Sequence, residues 1–299
     1  MTSQRTPGAT RTSVTAHLKR HAAEHGQQFS EVQRRFVMSQ FLARVFTADP
    51  EGWILKGGVS MMVRLPRARH STDIDLQSAS VTDDPAAELE HIVRDNNVDS
   101  FRFQVKKRTA LADGKGIRIT VEARLGPTVF DTFKIDVVHP RRELVGEIER
   151  KRVPRLVDSA DFPADPEVQL YPIADQIADK ICAMYELHRS HPSGRFRDLV
   201  DLLLIAHYLP IDLRTVVDAL EQERTFRGIA ELPTALAAPG PEWVDSWARE
   251  AKKSPLSDDH HRLEAALAAA GRCYDRVLTS LPAADRSATW IPTAGGWAD

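Results

Sequence analysis

Asp73 and Asp75 stand in the segment Ser71-Thr-Asp-Ile-Asp-Leu76, a short way after Lys56-Gly57-Gly58-Val59-Ser60. On a strand, residues two apart share a face, so both carboxylates leave the same side with Cα atoms roughly 6.6 Å apart. Ile74 and Leu76 then turn the other way, towards a core. Two such carboxylates repel one another unless a cation lies between them, and a hard divalent ion, Mg2+ or Mn2+, suits their oxygens. Gly57 and Gly58 let the backbone come close to a ligand, and a helix opening after them would aim free N–H groups at an anion. Acids for a metal beside a cradle for phosphate are the parts of nucleotide chemistry. Asp-x-Asp alone also occurs in turns, calcium loops and sugar-nucleotide transferases. What narrows it is order: strand (Trp53 to Leu55), Gly-Gly, helix with an early Ser60, a basic connector (Arg64, Arg67, Arg69), then Ser-x-Asp-x-Asp.

Two further groups of residues need a reason for their placement. In Val129–Val138, Phe133, Ile135 and Val137 share one face and leave Lys134 and Asp136 on the other. Asp136 is either part of an exposed sheet face or a third metal carboxylate. On a helix of about 3.6 residues per turn, Lys180 falls in the middle of a stripe made by Leu170, Ile173, Ile177, Met184 and Leu187. A lysine there is costly unless its charge is paired or reaches water. It either snorkels or meets an anion, and a compact cation suits phosphate oxygens. Asp198 shares a helical face with Leu202, Ile205 and Leu209, and Asp201 lies a turn along. An acid in a first turn also complements the helix dipole.

The first stretch resembles the opening motif of nucleotidyltransferases with a DNA polymerase β-like palm. Leu-Lys-Gly-Gly is closer still to the AbiEii/AbiGii branch of bacterial toxin–antitoxin toxins, although that family usually has Thr after the glycines where this chain has Val59 and then Ser60. Lys180 followed by Arg195-Phe-Arg-Asp198-Leu-Val-Asp201-Leu is similar to the family's later motifs, so the resemblance spans roughly Phe36 to Leu209. It implies a Mg2+-dependent enzyme with Asp73, Asp75 and Asp136 as metal ligands. An NTP would be its substrate, with Lys56, Gly57, Gly58, Ser60, Arg69, Ser71, Lys180 and Asp201 around the triphosphate. Asp198 would support that site, and Asp73, Asp75, Asp136, Lys180 and Asp198 would form the catalytic set. The acceptor it implies is the 3′ end of tRNA, whose modification blocks aminoacylation and translation. The partner it implies is a cognate antitoxin encoded nearby. The same acids would also serve transfer to a protein or a small molecule, and a binding module with structural acids is the reading from another class.

The elements that must position these residues follow from periodicity. The expected fold is α+β: an N-terminal nucleotidyltransferase domain with a mixed sheet flanked by helices, then a C-terminal helical bundle. Residues 1–12 read as a disordered tail, 13–157 as the sheet domain, 158–281 as a helical domain completing the active site, and 282–299 as a tail without a usable period. Within 13–157, Ser13–Glu24 reads as a helix carrying His17, His21 and His25, a column with no acid or thiol beside it. Ser30 and Gln33 form a capping-box pattern for a second helix ending at Asp49-Pro50. Asp83-Asp84-Pro85 starts a third, and strands run over 101–109, 117–125 and 129–138 with a turn at Asp113-Gly114. Residues 153–166, with their prolines and acids, read as a linker.

Composition adds bounds. The chain has 299 residues, a formal charge of −2 and two cysteines far apart, which fits a reducing cytoplasm. No apolar run reaches the length of a membrane span, and a monomer is expected. Since the whole is not basic, RNA binding must rest on local patches such as Arg64–Arg69, Lys106-Lys107-Arg108, Arg141-Arg142 and Arg150-Lys151-Arg152.

Overall fold

The computed structural model describes residues 6–79, 82, 84–94, 99–111, 114, 116–157, 162, 166–187, 193–281 and 287–299. Residues 1–5, Asp83, Asp113 and parts of the expected 153–166 linker and 282–299 tail lie outside the described residues. The chain divides into two compact units. One holds Met1–Val63, His70–Arg141 and Glu149–Leu170; the other holds Arg64–Arg69, Arg142–Ile148 and Tyr171–Asp299.

The first unit is built on seven strands: β1 (Trp53–Lys56), β2 (Asp73–Ser78), β3 (Phe101–Ala110), β4 (Ile117–Leu125), β5 (Val129–Val138), β6 (Glu149–Arg152) and β7 (Glu167–Leu170). Their order is β3-β4-β5-β2-β1-β7-β6. The sheet is mixed, because β2 runs parallel to β5 and β1 parallel to β7 while the other neighbours are antiparallel. The helices are α1 (Pro7–Glu24), α2 (Phe29–Ala48), α3 (Gly57–Arg64) and α4 (Pro85–Arg94). α1, α2 and α4 pack on one face. Strand alternation explains why: Phe101, Phe103, Ile119, Val121, Phe133, Ile135 and their neighbours are buried there, and Phe41 of α2 meets Phe103 and Phe133 edge-on at 5.3 and 5.5 Å. The opposite face carries the polar positions of the same strands.

Three details depart from the sequence expectation. α1 begins at Pro7, inside the stretch expected to be tail, because Thr6 caps it by accepting from the Ala9 N–H and a proline fits the first helical turn. The capping box of α2 does not form; Gln28 takes the cap position and Gln33 donates to the Phe130 carbonyl at 2.8 Å. At the end of α1, His21 and the capping His25 stack at 4.1 Å. Finally, β6 and β7 flank the expected linker as an antiparallel pair. β6 is Glu-Arg-Lys-Arg at the sheet edge and has no apolar alternation to announce it.

The second unit is helical: α5 (Ile173–Tyr185), α6 (Phe196–Tyr208), α7 (Leu213–Phe226), α8 (Trp243–Ala251) and α9 (Leu263–Thr279). Its core takes Ile177, Ile181, Leu202, Ile205, Val217, Trp243, Trp247 and Tyr274. The expected tail is a correction here. Residues Thr289–Ile291 and Gly296–Ala298 form a hairpin, β9 and β10, which extends through β8 (Ile211–Asp212) into a small sheet. Trp290 and Trp297 pair across it, and their N–H groups donate to the Ala206 and Cys273 carbonyls at 2.7 and 3.0 Å. Among the described residues no helix is long and apolar enough to cross a membrane.

Candidate active site

β2 and β5 lie side by side, and their parallel register sets Asp75 beside Asp136 and Asp73 beside Lys134. On the other flank of β2, β1 sets Lys56 beside Asp75. β4 sets Arg118 beside Asp136. The result is one row across four strands: Lys56, Asp75, Asp136, Arg118, with cations outside and acids between. The acids are half-buried, while Ile74, Leu76, Ile135 and Val137 on the reverse face are fully buried. That core fixes the pleat, and the pleat fixes the acids.

Each outer cation is engaged. Arg118 donates to both Asp136 oxygens at 2.6 and 2.7 Å, a fork-to-fork pair. This bond to Asp136 holds the Arg118 guanidinium above its ordinary range, against the opposing effect of burial, with Asp73 and Asp75 adding to it. Lys56 Nζ donates to Gln77 Oε1 at 3.4 Å.

Gly57 explains why glycine opens α3. Its φ is +65°, and a Cβ built on it would collide with the Asp75 carboxylate. The backbone therefore comes as close to that acid as an absent side chain permits. Ser60 is fully buried, and its hydroxyl donates to the Gly57 carbonyl at 2.9 Å. Gly58 is buried at the start of α3. Ser71 is buried and donates to the Asp73 carbonyl at 3.3 Å. The set of carboxylate oxygens on one sheet face, with an open backbone beside one of them, fits a hard divalent cation by donor chemistry. As placed, no three such side chains among the described residues converge on one point, and Asp136 is turned onto Arg118.

The helical unit holds the other cluster within itself. Lys180 of α5 is buried and donates to Asp198 Oδ1 at 2.9 Å and Asp201 Oδ2 at 2.6 Å, both on α6. Arg69 closes the group with two bonds of 2.9 Å to the Asp201 carboxylate. Burial lowers the Lys180 pKa, but Asp198 and Asp201 outweigh it and the pKa rises. Burial pushes the Asp201 carboxyl up, and Lys180 with Arg69 pull it below its ordinary value. So the lysine on the apolar stripe stays charged because two acids of the next helix face it, and Asp198 and Asp201 are on that face for the same reason.

The AbiEii model, described as a nucleotidyl transferase toxin of a type IV toxin–antitoxin system, matches residues 40–269. The chain belongs to the AbiEii family. It is accordingly a nucleotidyltransferase toxin, and the family implies an antitoxin partner. The match runs past Leu209, where the motif resemblance ends, through α7 and α8 into α9. No curated protein matches the sequence. Among solved structures, MenT4, a nucleotidyltransferase toxin from Mycobacterium tuberculosis H37Rv, shares the fold. Its TM-score is 0.53 at 20% identity, over 69% of this chain and 68% of that one. JHP933 from Helicobacter pylori gives a TM-score of 0.49 at 16% identity, over 85% of this chain and 94% of that one.

One residue of this AbiEii protein that motif reading passes over is Arg118. Its signal is a polar residue between Ile117 and Ile119 on a strand paired to the one bearing Asp136. The pairing that connects them depends on a bulge between Ala123 and Arg124, which no residue pattern specifies.

Proposed function

We propose that this AbiEii toxin moves a nucleoside monophosphate from an NTP to the 3′ end of tRNA, in a reaction needing Mg2+ or Mn2+, and so blocks aminoacylation and translation. The observation that carries the reading is the placement of Asp75 beside Asp136 on parallel strands, with Asp73 on the same face and Gly57 opened against Asp75. In the reaction, the RNA 3′-hydroxyl oxygen bonds to the α-phosphorus as the α–β P–O bond breaks and pyrophosphate leaves. We assign Asp136 as acceptor of the hydroxyl proton.

Asp73, Asp75 and Asp136 would hold the metal, which when bound supplies charge neutralisation at the phosphates and a more acidic 3′-hydroxyl. Phosphoryl-type transfer asks the protein mainly for positioning and charge. Gly57, Gly58, Ser60 and Ser71 shape the approach of the triphosphate, with Lys56 as a fixed cation at the end of the row. Lys180 supplies positive charge for the triphosphate, Asp198 and Asp201 keep it protonated and aimed, and Arg69 steadies Asp201. The cognate antitoxin acts on this chain in the cytoplasm, where the tRNA is.

The test is incubation with α-labelled NTPs, Mg2+ and total tRNA. Label should enter tRNA with at least one NTP, and Asp75→Ala should abolish both labelling and growth arrest on induction. Absence of label with every NTP, or an Asp75→Ala protein that still arrests growth, would falsify the reading. Label on protein instead of RNA would redirect it to another acceptor.

A further inference from the structure

The outward face of β3, β4 and β5 carries exposed cations in register with the acid pair. The protein carries a formal charge of −2. Many arginines among the described residues are matched by acids, and β3 shows the contrast within one strand. Arg108 points to the helix side and is paired twice, to Glu90 at 2.7 Å and Asp84 at 2.8 Å. Arg102 and Lys107 lie on the other side, exposed, and have no acid partner among the described residues. Lys134 on β5 is exposed and likewise unmatched among them.

Register places these cations in line with the acids. Asp73 neighbours Lys134, Lys134 neighbours Thr120, and Thr120 neighbours Lys107. With strands roughly 4.8 Å apart, that row runs roughly 14 Å from the acid pair to the edge of the sheet. Arg102 and Arg124 are direct neighbours farther along the same edge. Arg124 is held by Glu122 at 2.7 Å, which leaves Arg102 as the open cation of the two. Apart from Val129 beside Arg124, the face is lined by polar and charged side chains, which suits a phosphodiester backbone better than a protein interface.

We propose that this face carries the acceptor RNA strand, with Lys134 and Lys107 on successive phosphates and Arg102 beyond them, so that the strand's 3′ end arrives at Asp73 and Asp75. The inference rests on the RNA-acceptor reading and adds to it the surface and direction of approach.

The experiment measures binding of a fluorescent acceptor-stem RNA with a single-stranded 3′ end, over a salt series, alongside label transfer and binding of a fluorescent NTP analogue. The proteins are wild type, the double variant Lys107→Glu/Lys134→Glu, the conservative Lys107→Arg/Lys134→Arg, and Lys252→Glu/Lys253→Glu as a control of equal charge at exposed positions outside this sheet. The double glutamate variant should bind RNA more than tenfold more weakly, with the log–log salt slope reduced by about 1.4, that is about 0.7 for each lost phosphate contact. NTP binding should be unchanged, and the arginine pair and the Lys252/Lys253 control should stay within twofold of wild type. If wild type labels RNA while the glutamate variant binds and labels it equally well, the face is not the track, and the acceptor reading stands alone. If wild type neither binds nor labels RNA, both fail together. A glutamate variant that keeps RNA but loses the antitoxin would make this a protein interface and overturn the proposal.

Discussion

At the scale of single residues, Gly57 and Arg118 set what Asp75 and Asp136 can do. Gly57 has a left-handed backbone, and any side chain there meets the Asp75 carboxylate. Gly57→Ala should therefore move that acid while leaving the rest of the sheet in place. Misplacing a reacting group by about 1 Å can cost on the order of 100-fold in rate, and label transfer should fall by about that factor, far more than the modest loss of stability from strain at a left-handed position accounts for. A variant with wild-type rate would show that Asp75 does not need this approach. Arg118 acts on the other acid. Its pair with Asp136 is partly exposed, the arginine side chain being 39% accessible, so the pair is worth up to about 1 kcal/mol. A metal that uses Asp136 must loosen that pair, so Arg118→Gln should tighten Mn2+ binding by up to about fivefold. Calorimetric titration reads this directly, and unchanged or weaker Mn2+ affinity would remove Asp136 from the ligand set.

At the scale of elements, the buried ion pair of α2 decides how the first helical layer is held. Arg44 donates to Asp99 at 2.6 and 3.2 Å and to the Val93 and Phe101 carbonyls at 3.1 and 2.5 Å, tying α2 to the end of α4 and the start of β3. Both side chains are almost wholly out of water. Arg44→Met leaves the Asp99 charge buried with only the Phe101 N–H donating to it and should cost about 3–5 kcal/mol in urea unfolding, whereas Arg44→Met with Asp99→Leu should recover most of it. A double variant no better than the single would mean the carbonyl contacts dominate. The same elements show what the residues alone disclose. Strands β3, β4 and β5 were legible because Phe101, Phe103, Ile117, Ile119, Phe133 and Ile135 alternate with polar residues, and the helices of the second unit because their apolar stripes repeat at helical spacing. Alternation fixes which face a residue joins but not which residue it meets across the ladder. Bulges after Val105 and Ala123 shift those pairings, so the meeting of Arg118 with Asp136 and of Lys107 with Thr120 was not readable. β6 and the β9–β10 hairpin escaped for another reason: strands of four and three residues are too short to show a period. Lys180 was visible as an anomaly on an apolar stripe, but its acids on α6 became its partners only once α5 and α6 packed.

At the scale of the whole molecule, acids and bases nearly balance, so stability against pH depends on which charges are buried rather than on net repulsion. The group formed by Lys180, Asp198, Asp201 and Arg69 is the clearest case, since Lys180 and Asp201 side chains are 6% and 1% accessible. Asp201 has its carboxyl held below the ordinary 3.8, so its contribution is complete above that value and is lost as pH falls through the lower folded one. Lys180 is shifted the other way: its contribution is complete below the ordinary 10.5 and disappears only as pH rises through its higher folded value. Between those limits the group should stabilise the fold by a constant amount. Asp201→Asn removes the acid that both cations share and should cost about 3–5 kcal/mol on that plateau. As pH falls below the ordinary 3.8 of Asp201, towards its lower folded value, the wild type begins to give up the same interaction by protonation, and the gap should narrow. Urea unfolding of both from pH 3 to 9 reads the difference. A gap that stays constant to the acid limit, or widens there, would show that Asp201 acts through packing and not through its charge.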